Sequence, residues 1–451
     1  MTLPFRNIPH VLLTMLVLLN VATAQEERDE PVRQNLPVSY EAIPFYSADT
    51  TAAVVRLHYR INQRFFIFIR DAGKENSYSA RGELMVELRN KQDISMGREI
   101  RQIHLLRDSQ PRENELLPDL QGSLAFQVPE DEYTVIFSVD DKESGRKFID
   151  RDKKVITKLP VFEPLELSNP LFARLRHDND DESETYIIPS NRGTQVTFGS
   201  TSGIAYQIYL PDADVPNVRW RIQRQGGLLA DWFQSFTGEQ YALLKGGLTP
   251  INPQDEARYK IQSIGNPGWK LLYIPLPIEK LEPGGYTINL ELGVGEKQIK
   301  KEYPFQVIWL NRPAALLHSE LAIDALQHIA KEDEISEMRS GSFERNVKAF
   351  YEFWKRMDPD TTTAYNEMMV EFYRRVDEAN RRFSTLNSLD GYKTDRGRIF
   401  ILYGQPTRID RILPPGEAPS EFWAYHRLKR RFVFSDKYKS GNFVLTSADS
   451  L

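Results

Sequence analysis

The 451-residue sequence contains no cysteine. Disulfide scaffolds, thiolate metal sites and cysteine nucleophiles are therefore excluded, and the fold must rest on buried apolar surface. Charge of one sign is not in excess. There are 58 Lys and Arg against 63 Asp and Glu, a net of −5, which argues against a dedicated nucleic-acid binder. Histidine is scarce at seven, and none forms an i,i+4 pair or a His-Glu-x-x-His array for zinc. Phosphate-binding glycine patterns are missing too. No P-loop occurs, and Gly293-Val294-Gly295 lacks the third glycine of a dinucleotide fingerprint. Gly199-Ser200-Thr201-Ser202-Gly203 has the wrong spacing for a nucleophile elbow. These absences predict no cofactor and no bound metal.

Long apolar runs are confined to the start of the chain. Residues 1–10 carry one positive charge, Arg6, and residues 11–22 are apolar except for Thr14 and Asn20. Ala22-Thr23-Ala24 has the small-x-small form of a signal peptidase site. The run is shorter than the ~20 residues of a spanning helix. The pattern predicts a signal peptide over 1–24, cleaved after Ala24, and a periplasmic or extracellular protein without a transmembrane segment after cleavage. Gln25, in place of a cysteine, disfavours a lipid anchor.

Beyond residue 24 the chain is rich in strand signals. Residues 25–38 are polar and read as a flexible leader. The segments 53–59, 65–70, 84–89 and 100–106 carry β-branched and aromatic residues between Gly, Asp, Asn and Pro breaks. The segments 195–198, 205–210, 218–223, 271–275 and 305–309 repeat that character. A weak internal repeat links the two regions. Pro129 opens a turn that reaches Tyr133-Thr134, then Val135, Phe137 and Val139 alternate; Pro283 opens one that reaches Tyr286-Thr287, then Ile288, Leu290 and Leu292 alternate. A tyrosine opening a late strand, with its hydroxyl tied back to the preceding turn, marks Greek-key sandwiches. The expected fold is therefore multidomain and mainly β. It comprises two immunoglobulin-like β-sandwiches (39–162 and 163–310), a helical segment (311–385) and a small α+β C-terminal domain (386–451).

The period changes at Pro313, placed as in the first turn of a helix. Leu317, Leu321, Ala325 and Ile329 share one helical face. Ser342 caps a second helix carrying Phe343, Val347, Phe350, Tyr351 and Trp354, which Asp358-Pro359 ends. A third, over 365–383, aligns Met368, Phe372, Val376, Ala379 and Phe383, with Glu371–Arg375 and Glu378–Arg382 pairs on its other face.

From Ser384 the pattern changes again. Gly391-Tyr392-Lys393-Thr394-Asp395-Arg396-Gly397-Arg398 precedes Ile399-Phe400-Ile401-Leu402-Tyr403, which reads as a strand ended by Gly404-Gln405-Pro406. Segments 422–425, 432–436 and 441–445 come next as further strands. This ordered set, with Phe353-Trp354-Lys355-Arg356-Met357-Asp358-Pro359 and the Glu371-Phe372-Tyr373-Arg374-Arg375 run upstream, resembles the bacterial GWxTD-domain family, named for a Gly-Trp-x-Thr-Asp motif. Tyr392 stands where the family has Trp, so an aromatic is kept. The resemblance covers about residue 343 to the C-terminus. It implies an exported bacterial protein and carries no established biochemical activity.

The candidate motif residues are Gly391, Tyr392, Thr394, Asp395, Arg396, Gly397, Gly404, Pro406, Trp423 and Tyr425. Gly391 and Gly397 suit a tight turn or close approach, and Thr394 or Asp395 can cap backbone amides at a short helix start. Trp423 and Tyr425 point the same way from a strand, as do Phe432 and Phe434. The region from Ser384 is basic, with eleven Lys and Arg against seven Asp and Glu, densest over Arg427-Leu428-Lys429-Arg430-Arg431, read as a solvated hairpin tip. The leading expectation is a structural or protein-interaction protein of the envelope, not an enzyme, with another envelope protein as partner. One alternative is a hydrolase of an envelope polymer that uses Asp395 with Glu367 or Glu371. Another is glycan binding through Trp220, Trp232 or Trp269. The acidic run from Asp178 to Glu184 alternates as calcium loops do but lacks the glycine of an EF-hand turn, and reads as a solvated loop.

Overall fold

A computed structural model describes residues 37–46, 51–72, 76–112, 115, 117–177, 185–211, 215–226, 235–251, 258–262, 268–385 and 390–450. The expected signal peptide, the Ala24 site and most of the leader lie outside these residues. So do the acidic run 178–184 and Trp232. The chain divides into two units, one ending at Ile308 and the other spanning Trp309–Leu451.

The front unit is built of mainly antiparallel sheets, with Gln195–Thr197 running parallel to the end of Lys297–Ile308. Val38–Tyr46, Ala53–Asn62 and Asp119–Val128 form a three-stranded sheet. A five-stranded sheet faces it, built from Ile69–Arg70, Tyr78–Arg89, Ser95–Arg107, Glu132–Asp141 and Lys147–Ile156. Alternation sends Val55, Leu57, Leu124 and Phe126 from one sheet against Leu84, Val86, Val135 and Phe137 from the other. The strand expected over 65–70 survives only as Ile69–Arg70. Gln63–Phe65 winds into a 3-10 turn, and Phe65 and Phe66 plug the end of the core. An added Cβ on Gly82 would overlap the Phe66 ring, so glycine is required there.

A second pair of sheets succeeds it in the chain. An eight-stranded sheet is centred on Leu171–His177, Ser202–Tyr209 and Trp269–Leu276; a five-stranded one is centred on Asn217–Arg224, Gly284–Val294 and Lys297–Ile308. Aromatics fill the space between, with Phe172 and Tyr286 packed on Phe305 and Tyr206 on Tyr303. Tyr133 and Tyr286 both close the expected corner. Each hydroxyl donates to the carbonyl four residues upstream, Pro129 at 3.0 Å and Glu282 at 2.8 Å.

The three-stranded sheet is buried on both faces. Its outward residues Ile43 and Phe45 join Leu171, Ile187, Tyr259 and Leu271 of the eight-stranded sheet in one cluster. Polar contacts cross the same seam: His58 Nε2 lies 2.6 Å from the Tyr259 hydroxyl, Arg56 reaches the Leu248 carbonyl, and the Tyr46 N–H donates to Gln207. The four sheets are thus stacked as one body.

The rear unit begins with helices. A 3-10 turn, Ala314–Leu317, precedes α1 (Ser319–Ala325), and α2 (Glu332–Ser340) comes after it. The single helix expected after Pro313 is thus broken into short pieces, and α2 was not anticipated. Ser342 caps α3 (Phe343–Arg356), as expected, by accepting the Arg345 N–H. Helix α4 (Glu367–Phe383) starts two residues later than expected. Its cap is Asn366, whose side chain accepts the Met369 N–H and donates to the Trp354 carbonyl. Phe372, Val376, Ala379 and Phe383 are buried as expected, but Met369, not the exposed Met368, completes the stripe.

The strand expected over 399–403 is instead the second half of α5 (Asp395–Tyr403). Five consecutive apolar residues carry no period of their own, so capping and burial decided between helix and strand. A four-stranded antiparallel sheet completes the unit in the order Arg408–Ile412, Ser420–Tyr425, Arg430–Ser435, Val444–Ser450. The basic stretch forms the exposed hairpin tip, with Lys429 in a left-handed turn.

Candidate functional site

The motif is a junction of α1, α4, α5 and the last strand. Gly391–Lys393 makes one 3-10 turn, and Thr394 then caps α5. The Thr394 hydroxyl donates to the Gly391 carbonyl at 2.7 Å and accepts the Gly397 N–H at 3.0 Å. The two glycines permit this closeness. A Cβ on Gly391 would overlap the Ala379 carbonyl at the end of α4, and one on Gly397 would overlap the Gly391 carbonyl.

Tyr392 is buried. Its N–H donates to Asn380 Oδ1 at 3.0 Å, its hydroxyl donates to Asp324 Oδ2 at 3.2 Å, and its carbonyl meets His328 Nε2 at 2.9 Å. Burial lowers the His328 pKa, which keeps a neutral ring against that carbonyl. Asp324 also pairs with Arg339 and, at 3.3 Å, with Lys393. Lys393 reaches Asp390 at 2.9 Å, which raises its pKa.

Asp395 and Arg396 turn to the terminal sheet. Asp395 Oδ2 accepts the Leu445 N–H at 2.8 Å, and its other oxygen faces Arg398 at 3.5 Å. Arg396 lies between the rings of Phe383 and Phe443 and reaches Glu421 at 3.4 Å and the Gly441 carbonyl at 3.0 Å. Burial pulls the Arg396 pKa down while Glu421 opposes it. Buried Glu421 also takes Arg411 at 2.9 Å and the Trp423 indole N–H at 3.1 Å, so its charge is matched by two cations.

At the far end of α5, Gly404 adopts positive φ, +76°, and its carbonyl accepts the Tyr425 hydroxyl at 2.8 Å. Arg375 donates to the Ile401 carbonyl at 3.1 Å and pairs with Glu371 at 2.7 Å. Pro406 is buried after the turn. Trp423 and Tyr425 lie on the inner face of their strand, Trp423 against Phe383 and Phe434.

Residues 391, 392 and 394–397 thus lie in one junction with Trp423, whereas Gly404, Pro406 and Tyr425 gather at the far end of α5. Residues 324, 328, 380 and 421 complete it and carried no local signal, because each is supplied from a distant element. The hydroxyl of Thr394 and the carboxylate of Asp395 are both engaged internally. Asp395 opens α5, whereas Glu371 is tied through Arg375 to its end, six residues or ~9 Å further along the axis. Glu367 is exposed at the start of α4. Among the described residues no group of three or more His, Asp and Glu could hold a metal. Trp220 and Trp269 are buried, the latter beneath Tyr46 and Tyr209, so neither offers a ring face to a sugar.

Residues 296–448 match the family model of the GWxTD domain. A comparison with curated protein sequences finds no match. Among solved structures, a family 123 glycoside hydrolase from Clostridium perfringens is 14% identical over 42% of this chain and 35% of its own, with a TM-score of 0.17. An ectodomain fragment of ICAM-5 is 10% identical over 61% of this chain and 54% of its own, with a TM-score of 0.15. A Corynebacterium diphtheriae protein described as membrane-anchored is 10% identical over 62% of this chain and 60% of its own, also at 0.15. The chain therefore spans about a third to three-fifths of their lengths.

Proposed function

Residues 296–448 are a GWxTD domain, and from that premise we propose that this chain is an exported bacterial envelope protein that binds and supports rather than catalyses. The observation that carries the reading is the internal use of the motif's polar groups. The hydroxyls, carboxylate and guanidinium of Tyr392, Thr394, Asp395 and Arg396 hold the junction together and leave a charged rim of Asp390, Lys393 and Arg398 at its surface. In this reading the rim meets another envelope protein, and the buried motif keeps it rigid. The sheet pairs of the front unit are read as immunoglobulin-like sandwiches acting as spacers or binding modules, a view the two tyrosine corners support. Export rests on the charged start, apolar run and Ala22-Thr23-Ala24 site. Among the described residues, no helix is long and apolar enough to cross a membrane.

Affinity capture from envelope extract tests the proposal, comparing the parent chain with a Lys393→Glu, Arg398→Glu variant that leaves the buried residues intact. The expected result is a specific partner held by the parent and lost from the variant at unchanged circular dichroism. N-terminal sequencing of the envelope form should begin at Gln25. Capture indifferent to the rim, together with turnover of an envelope polymer, would overturn the reading.

A further inference from the structure

The five-stranded sheet of the first sheet pair ends at Ser95–Arg107, a thirteen-residue strand that pairs, among the described residues, only with Tyr78–Arg89. A long edge of this kind offers a row of backbone donors and acceptors to another strand. Its core-facing side chains are Gly97, Glu99, Arg101 and Ile103, and its outer ones are Arg98, Ile100, Gln102 and His104. The outer face carries an apolar row across the sheet, Ile100–Met85–Ser138–Ile149, broken only by the serine. Ile100 and Ile149, at its two ends, are 48% and 49% exposed. The row therefore stops at a half-open isoleucine on the free edge.

Symmetry limits what a second copy of this edge can do. In a two-fold antiparallel pair, opposing residues share a face, so the centre must be a single residue. A centre on Glu99 opposes two glutamates, and a centre on Arg101 opposes two arginines. A centre on Ile100 sets Ile100 on itself, Glu99 of each copy opposite Arg101 of the other, and Arg98 opposite Gln102. Of these three registers it alone places opposite charges together and continues the apolar row from one sheet into the next. The charges that would repel a random strand thereby select one register. A bulge at Met96, where Leu88 pairs with Gly97 but Arg89 with Ser95, confines the regular ladder to about seven residues, 97–103.

We propose that the chain forms a two-fold dimer by antiparallel pairing of this edge, centred on Ile100. A ladder of this length belongs to the weak class of interfaces. Sedimentation velocity of the full chain is therefore run from about 1 µM to about 1 mM. The parent should show a reversible monomer–dimer equilibrium. Glu99→Arg or Arg101→Glu alone places like charges opposite each other twice, and should weaken association about tenfold or more. Both changes in one chain should restore it, and an equal mixture of the two single variants should form mixed dimers. Glu99 is exposed, so Glu99→Arg should melt with the parent; Arg101 is half-buried and already engaged within the chain, so each variant's thermal melt is recorded beside its association. A parent monomeric throughout, a dimer indifferent to the single reversals, or a double reversal that fails to restore association would each overturn the proposal.

Discussion

Glu41 and His58 are cross-strand partners buried in the seam of the front unit, their side chains 3.6 Å apart. Desolvation raises the Glu41 pKa to about 8, against a pull downward from Lys153, and lowers that of His58 to about 3, helped by Arg56. Tyr259, from the facing sheet, meets the His58 ring, and its own pKa is raised by burial. The Glu41 folded pKa lies above its unfolded value, so the native state binds that proton more tightly and stability falls as pH rises from about 4.5 to about 8. His58 acts in the opposite sense, and its contribution is lost as pH falls from about 6.5 towards about 3. The two slopes oppose each other between 4.5 and 6.5, and above that, of this pair, only Glu41 still contributes. Glu282, also raised by burial, adds its own decline up to about pH 7 and is unaffected by changes at Glu41. Glu41→Gln should therefore flatten the loss of stability between pH 6.5 and 8 by about 2 kcal/mol, read from denaturant midpoints of parent and variant. Nothing in the sequence marked this pair, because a charged residue on a strand reads as solvent-facing until a second sheet covers it.

Among elements, α5 is the instructive one. Its five apolar residues 399–403 suit a strand by composition, yet Thr394 supplies a helix cap and the segment is buried on several sides. The capping residues were legible; the outcome was not, because the period-free run leaves the choice to the cap and its surroundings. Thr394→Ala removes the acceptor of the Gly397 N–H and the donor to the Gly391 carbonyl together. A loss of about 1–2 kcal/mol is expected, with faster hydrogen exchange at Gly397, and Thr394→Ser should recover most of it. The α4 stripe was legible apart from its start, where Met369, three and four residues before the buried Phe372 and Tyr373, takes the inner position and leaves Met368 at the margin.

For the molecule as a whole, the front unit unites four sheets through one layer buried on both sides. Ile43 and Phe45 belong to the first strand in sequence yet pack with residues near 187, 259 and 271. Removing either sheet pair would uncover that layer. The described residues from 37 to 308 are therefore expected to unfold in one cooperative transition, with matching protection in native-state hydrogen exchange for strands Ala53–Asn62 and Ser202–Tyr209. Truncating Phe45 to Ala should lower that transition by about 3 kcal/mol and destabilise both strands equally.

The sequence by itself determined the mainly β character of the front, the two tyrosine corners, the capped helices and the GWxTD resemblance at the rear. These depend on local period and turn chemistry, which neighbouring residues carry. Only the tertiary structure decided that the 399–403 run is helical, that Glu41 and His58 are buried together, and that the motif turns inward onto Asp324, Asn380 and Glu421. Those outcomes depend on partners supplied by other elements, brought close by burial of surfaces whose pairing no local pattern encodes.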